Sequence, residues 1–177
     1  MSLSLIVGVS KSNGIGKDNS LPWHFPEDLK HFQNITKRTQ QPNKQNAVIM
    51  GRNTMDSIKR LPLGGRINVC ISRTIKEHHS ANILFYDSLD KAILQLRLRS
   101  DIENIIIIGG RMLYEEVLKR DDCCHLYINT LNTDVECDTF FPSIDFTAYD
   151  IIDTQHISSN VTAVHYNKKL VKDLSSL

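Results

Sequence analysis

The chain is short of several features that would each have pointed to a function. Its 177 residues carry 21 Lys+Arg against 20 Asp+Glu, a formal net charge of +1. With no excess of either sign, neither nucleic acid nor an anionic membrane is expected as the main partner. No apolar run approaches membrane-spanning length, and the apolar start Met1–Val9 lacks both a basic segment before it and a small-residue cleavage pattern after it. A soluble, non-secreted, cytoplasmic protein is expected. The four cysteines, Cys70, Cys123, Cys124 and Cys137, have the spacing of neither a disulfide framework nor paired zinc knuckles. Cys123-Cys124-His125 has no second ligand cluster after it, so reduced thiols are expected and no metal. No linker, low-complexity tract or internal repeat divides the chain, and one domain over residues 1–177 is the economical reading. Two signatures of chemistry are absent as well. There is no Ser-His-Asp or Cys-His ordering, the histidines lying in polar settings such as Glu77-His78-His79. Nor is there a G-x-G-x-x-G, because Gly14-Ile15-Gly16 lacks the third glycine and runs into a long polar loop.

What is present is an alternation of short apolar, β-branched blocks with amphipathic stretches, the pattern of an α/β protein with a mostly parallel central sheet flanked by helices. Blocks at 3–9, 47–50, 67–71, 83–85 and 105–108 are nearly unbroken, as strands covered on both faces are. The first helix begins at Pro26, with Glu27 and Asp28 in its first turn and Leu29, Phe32 and Ile35 along one face. Further helices are expected over about 52–58, 88–99 and 110–119, with Ser88 and Asp90 as capping residues for the third. After Asp121-Asp122 the pattern becomes strand, loop, strand, strand at 126–131, 148–153 and 161–170, the last two joined by a polar turn as an antiparallel hairpin.

Three strand-to-helix or strand-end junctions carry chemistry. Gly109-Gly110 follows an isoleucine block and opens a helix, so backbone amides there can approach an anion unobstructed; a tight turn needing small residues explains it equally well. Val48–Thr54 repeats the idea and adds Arg52 and a hydroxyl in the first helical turn, and Cys70–Thr74 puts Ser72 and Arg73 at another strand end. Singly, each arginine reads as solvated surface. Together, Arg52 and Arg73 suit a phosphate monoester, the group that distinguishes NADP from NAD. Three junctions sharing one dinucleotide would sit at the carboxyl edge of the sheet, where open α/β folds bind ligands. Asp28 is the single acid among Trp23, Phe25, Leu29 and Phe32, and it reads either as an inward-facing functional carboxylate or as an exposed first-turn acid like Glu27. A lone acid beside a nucleotide-sized anion surface suits hydride transfer, in which the cofactor carries the reactive atom and the protein supplies position and a proton.

With these residues in view, the chain resembles the dihydrofolate reductase family from about Leu5 to Leu170. The marks are Gly14-Ile15-Gly16-Lys17 leading to Leu21-Pro22-Trp23, Val48-Ile49-Met50-Gly51-Arg52 with Thr54, Gly65-Arg66-Ile67-Asn68, Ile108-Gly109-Gly110 with Tyr114, and Asp138-Thr139-Phe140-Phe141-Pro142. The resemblance implies NADPH as cofactor and dihydrofolate or folate as substrate, with antifolates as inhibitors. It implies that Asp28 binds the pterin and supports protonation at N5, and that Leu21 and Trp23 belong to a mobile loop closing over the nicotinamide and excluding water. Leu29, Phe32, Ile58 and Leu63 would surround the p-aminobenzoyl group, Gln33 and Asn129 would be further substrate-binding residues, Arg66 would fork onto the glutamate carboxylate, and Ile6 and Ile108 would border pterin and nicotinamide. The cofactor set implied is Gly8, Ile15, Gly16, Asn19, Ser20, Arg52, Asn53, Thr54, Ser72, Arg73, Gly109, Gly110, Arg111, Met112, Leu113 and Tyr114, with a cis peptide at Gly109-Gly110 and with Asp138 hydrogen-bonded to the mobile loop. Three positions depart from the family pattern. Asn129 replaces the usual threonine beside the acid, Gly8 the usual alanine, and Met55 the usual aromatic. The alternatives are an NADPH-dependent reductase of riboflavin biosynthesis and a non-catalytic folate-, nucleotide- or RNA-binding module. A monomer is expected.

Overall fold

The computed structural model describes residues 1–74 and 82–170. In chain order its elements are β1 (Ser2–Val9), β2 (Gly14–Gly16), α1 (Pro26–Lys37), β3 (Gln45–Gly51), α2 (Arg52–Ser57), β4 (Arg66–Ile71), β5 (Ile83–Tyr86), α3 (Leu89–Arg97), β6 (Ile102–Gly109), α4 (Arg111–Leu118), β7 (Cys123–Leu131), β8 (Thr139–Phe140), β9 (Tyr149–His156) and β10 (Val161–Lys168). Eight strands form one sheet in the order β5-β4-β3-β6-β1-β7-β10-β9. The six strands from β5 to β7 run parallel, and β10 pairs antiparallel with both β7 and β9. Every strand and helix expected from the sequence is present within a few residues of its expected ends, including the hairpin.

Strand alternation sorts the apolar side chains onto two faces. Leu3, Leu5, Val7 and Val9 of β1 join Leu89, Ala92, Ile93 and Leu96 of α3 and Leu113 and Val117 of α4 on one side. Ile6 joins Val48, Met50, Ile106 and Ile108 on the other, with Met55 of α2 and the partly buried Phe32 and Ile35 of α1. Helices cover both faces, as the unbroken strand blocks require.

Along the Leu29, Phe32, Ile35 stripe of α1, Leu29 is 43% exposed and the other two are half-buried against the core, while the buried residues of the helix are Asp28 and Thr36. Gly14-Ile15-Gly16 is followed by irregular chain up to Pro26, as its sequence implies, and itself pairs antiparallel with Thr139-Phe140 as a separate two-stranded sheet. Three residues are too few for a periodic signal to show in the sequence. Glu27 is less exposed than a simple first-turn acid, since its carboxylate accepts from Ser158 Oγ at 2.9 Å. Ile151 and Ile152 on β9 are exposed, apolar surface that lies outside the core. All four cysteines are free, and burial pushes the Cys70 thiol up to about 11. The Glu77-His78-His79 run lies outside the described residues.

The small sheet has a packing requirement at Gly14. A Cβ there would stand 2.5 Å from Cys137 Cβ, collide with its Sγ and sit 3.0 Å from Ser10 Oγ. Gly14→Ala is therefore expected to cost about 1–3 kcal/mol. Gly64→Ala, where a Cβ meets nothing within 4 Å, is the neutral control. Denaturant melts of the two variants check this; equal midpoints would show that the Cys137 side of the contact yields freely.

Candidate functional site

The first half of the site is built around a buried acid. Asp28 enters from the first turn of α1 and is 6% exposed. Its Oδ1 accepts from Asn129 Nδ2 of β7 at 2.7 Å and its Oδ2 from Trp23 Nε1 at 3.3 Å. Of the two readings of Asp28, the inward-facing one holds. Gly8 of β1 lies directly beneath: a Cβ there would stand 3.2 Å from Asp28 Oδ2 and 3.4 Å from the Trp23 ring. The departure at Gly8 thus bears on the acid itself, giving the carboxylate room that an alanine would narrow. Trp23 is buried with Leu131 and Val161, while Leu21, two residues earlier, is exposed.

The loop before Trp23 is tied down at one point. Asp18 and Asn19 have positive φ in a turn closed by Lys17 and Ser20, and Asp138 Oδ2 accepts from the Asp18 backbone N–H at 2.9 Å. The Asp138 N–H in turn donates to Gly16 O, and Lys17 pairs with Glu136. The Asp18 N–H first, and the Thr139 hydroxyl after it, hold Asp138 below the usual carboxylate range. Ile15 and Gly16 are half-buried, and Asn19 and Ser20 are exposed.

The second half is the carboxyl edge of β4, β3 and β6, three neighbours in the sheet. All three junctions singled out in the sequence meet there. Gly51 lies against Gly109 and Gly110, and Arg52 Nη1 donates to Thr74 Oγ1 at 3.5 Å, joining the end of β3 to the segment after β4. The Gly109-Gly110 peptide is cis. A Cβ on Gly109, whose φ is +121°, would stand 3.2 Å from Tyr114 Oη and 3.3 Å from Thr54 Oγ1, and one on Gly110 would meet the same Thr54 hydroxyl at 3.3 Å. The space those two glycines leave is therefore shaped by Thr54 and Tyr114. Tyr114 donates to Ile6 O at 2.8 Å, connecting this edge to β1, and burial pushes its phenol far up. No side chain caps the N-terminus of α4, whose first turn opens into the same space. Arg52, Asn53 and Arg73 are exposed along the rim; Arg111 is held by Glu115, Leu113 is core, and Met112 is 77% exposed.

Between the halves runs the cleft wall. Ile58 and Leu63 pack against the core cluster that contains Met55. On α1, Leu29 and Gln33 are exposed and Phe32 is half-buried. Ile6 and Ile108 are buried in the same cluster as Met55. At the far end Arg66 is half-buried; its Nη1 donates to Thr36 Oγ1 at 2.8 Å and its Nε to Gly64 O at 3.2 Å, and burial lowers its proton affinity. Two contributors were not legible as site residues. Thr36 is buried and presents its hydroxyl to Arg66. Asn68 clamps Leu63 from both sides, accepting from its N–H at 2.8 Å and donating to its carbonyl at 3.0 Å. A buried threonine late in a helix is the one signal available for the first, and the second is visible only in three dimensions.

The comparisons with known proteins agree with this geometry. The family model for dihydrofolate reductase matches residues 2–171. The dihydrofolate reductase of Drosophila melanogaster is 40% identical over 144 residues, 80% of this chain and 79% of that protein, and that of Heliothis virescens is 34% identical over 160 residues, 88% and 86%. The bifunctional dihydrofolate reductase-thymidylate synthase 1 of Arabidopsis thaliana is 40% identical over 152 residues, 82% of this chain. This chain spans only 29% of the length of that relative. On the match of nearly its whole length and on these identities, the chain belongs to the dihydrofolate reductase family.

Proposed function

We propose that the chain reduces 7,8-dihydrofolate to 5,6,7,8-tetrahydrofolate with NADPH as the hydride donor. The observation that carries this is the buried carboxylate of Asp28, oriented by Trp23 and Asn129 at one end of an apolar cleft whose other border is a glycine-lined sheet edge. NADPH suits that edge on the chemistry of its donors. The cradle under Gly109 and Gly110 admits a backbone-hugging pyrophosphate, the uncapped turn of α4 favours an anion, and Arg52 and Arg73 offer guanidinium forks to a 2′-phosphate. The cofactor supplies the hydride when bound. The residues of the chain do the rest. Asp28 accepts from the amidine-like edge of the pterin and lets a proton reach N5, the Leu21–Trp23 segment excludes water, and Arg66 receives the glutamate carboxylate. Residues 1–177 act as one domain and as a cytoplasmic monomer that antifolates inhibit. The single core-bearing sheet supports the one-domain reading, and among the described residues no helix is long and apolar enough to cross a membrane.

The test is loss of NADPH absorbance with dihydrofolate, run beside NADH and beside a folate-free control. Folate-dependent oxidation that favours NADPH is expected. Tight NADPH binding without turnover would move the chain to another pyrimidine-type substrate or to a binding role.

A further inference from the structure

Asn129 has two polar ends, and only one of them is accounted for. The residue is 1% exposed, toward the C-terminal end of β7. A carboxylate only accepts, so the 2.7 Å contact with Asp28 Oδ1 requires Nδ2 on that side and turns Oδ1 the other way. That Oδ1 is buried and has no hydrogen-bond partner. Among the described residues one other buried side-chain polar atom is in the same condition, His31 Nδ1. His31 lies three residues after Asp28 on α1, on the same helix face, and the Asp28 charge and the Asn129 amide both act on its ring in favour of the proton. Burial acts more strongly in the opposite sense and lowers its proton affinity, so the ring is neutral near pH 7 and carries one N–H. A bare buried carbonyl oxygen is costly, and so is a bare ring nitrogen. Each orphan is the complement of the other.

We propose that His31 is a positioning residue for Asp28: its Nδ1–H donates to Asn129 Oδ1 and so holds the amide with Nδ2 on the carboxylate. The requirement follows from asparagine itself. A threonine hydroxyl, the usual group at this position in the family, is donor and acceptor at one atom and can turn to suit the acid. An amide separates the two functions, and a half-turn about its last torsion would set oxygen against carboxylate oxygen. A donor on the far side removes that alternative. The inference rests on the reading of Asp28 as the acid of the proposed reaction.

The experiment has a spectroscopic arm that needs no turnover. Nitrogen-correlated NMR of the histidine rings, with His31 assigned by its loss in His31→Asn, is expected to show protonated Nδ1 and bare Nε2 in the wild type, and a shift of that preference in Asn129→Thr. In the kinetic arm, His31→Leu and His31→Gln are expected to slow single-turnover hydride transfer about tenfold with NADPH affinity unchanged, the equivalent of one hydrogen bond. His31→Asn, whose amide N–H falls where Nδ1 was, restores the rate. In the Asn129→Thr background the His31→Leu loss is expected to vanish. An Nε2–H tautomer in the wild type would overturn the proposal. So would His31→Asn as slow as His31→Leu, or a His31→Leu loss of undiminished size in the Asn129→Thr background. A wild type that shows the expected tautomer but does not reduce dihydrofolate would instead remove the functional reading and leave the positioning contact standing.

Discussion

Asp28→Asn is expected to lower dihydrofolate turnover at neutral pH by about a hundred- to ten-thousand-fold, the range over which a positioned proton-transfer group contributes. The local structure says why the isostere fails. Trp23 Nε1 and Asn129 Nδ2 both donate to the carboxylate, one to each oxygen. An amide in place of that carboxylate accepts from one of them and turns its own N–H₂ toward the other, leaving two donors face to face in a buried site. It also cannot carry the charge that a protonated pterin edge would meet. NADPH affinity should be unchanged, because the junctions at Gly51–Thr54 and Gly109–Tyr114 reach the acid only indirectly, through the bond from Tyr114 to Ile6 O on the shared strand β1. Stopped-flow absorbance for the chemical step and fluorescence quenching for the cofactor separate the two. Wild-type turnover would show that the acid has been assigned wrongly.

Arg66→Leu is expected to raise KM for dihydrofolate roughly 10- to 100-fold with little change in kcat, the magnitude of hydrogen bonds made to a charged group. Arg66 sits at the far end of the cleft from Asp28, oriented by Thr36 and the Gly64 carbonyl, and those two contacts use only part of its five-donor fork. Because binding the tail stabilises ground and transition states alike, its loss falls on KM. A dihydropterin lacking the glutamate tail is the control and should be handled equally well by both proteins. Arg66→Lys is expected to restore little, since an ammonium cannot make the planar two-point contact or take up the Thr36 and Gly64 contacts together. If both substrates lose affinity in Arg66→Leu, the residue shapes the cleft rather than reading a carboxylate.

Much of the architecture was legible because the strands of this sheet are covered on both faces and so read as unbroken apolar blocks. The helices between them announce themselves by Pro26, by the Ser88 cap and by their periodicity. The junctions were legible too, but only as separate candidates; their meeting at one edge follows from the neighbouring positions of β4, β3 and β6 in the sheet. The apolar stripe of α1 was legible as one face, but spacing does not reveal how much of that face is buried. Asn129 was visible as a departure from the family pattern. That its free oxygen and the His31 ring form a matched pair of orphans required both elements to be in place, 98 residues apart in sequence by their numbering. Thr36, Asn68 and Cys137 were silent for a related reason: each acts through a partner that no local periodicity encodes.

The strand order bears on how the chain must be made. β1 is the first of the ten strands to leave the ribosome and yet lies between β6 and β7, with Ser2 opposite Asn104 and Leu3 opposite Cys123. Neither neighbour exists until more than half of the chain has been synthesised. Until then the run Leu3–Val9 is an apolar segment with both edges open, the kind of exposed strand that pairs with other chains. Closing so long a loop is slow compared with forming helices and hairpins. The nascent chain therefore holds its central strand in waiting, and every truncation that ends before β6 leaves a sticky fragment instead of a smaller domain.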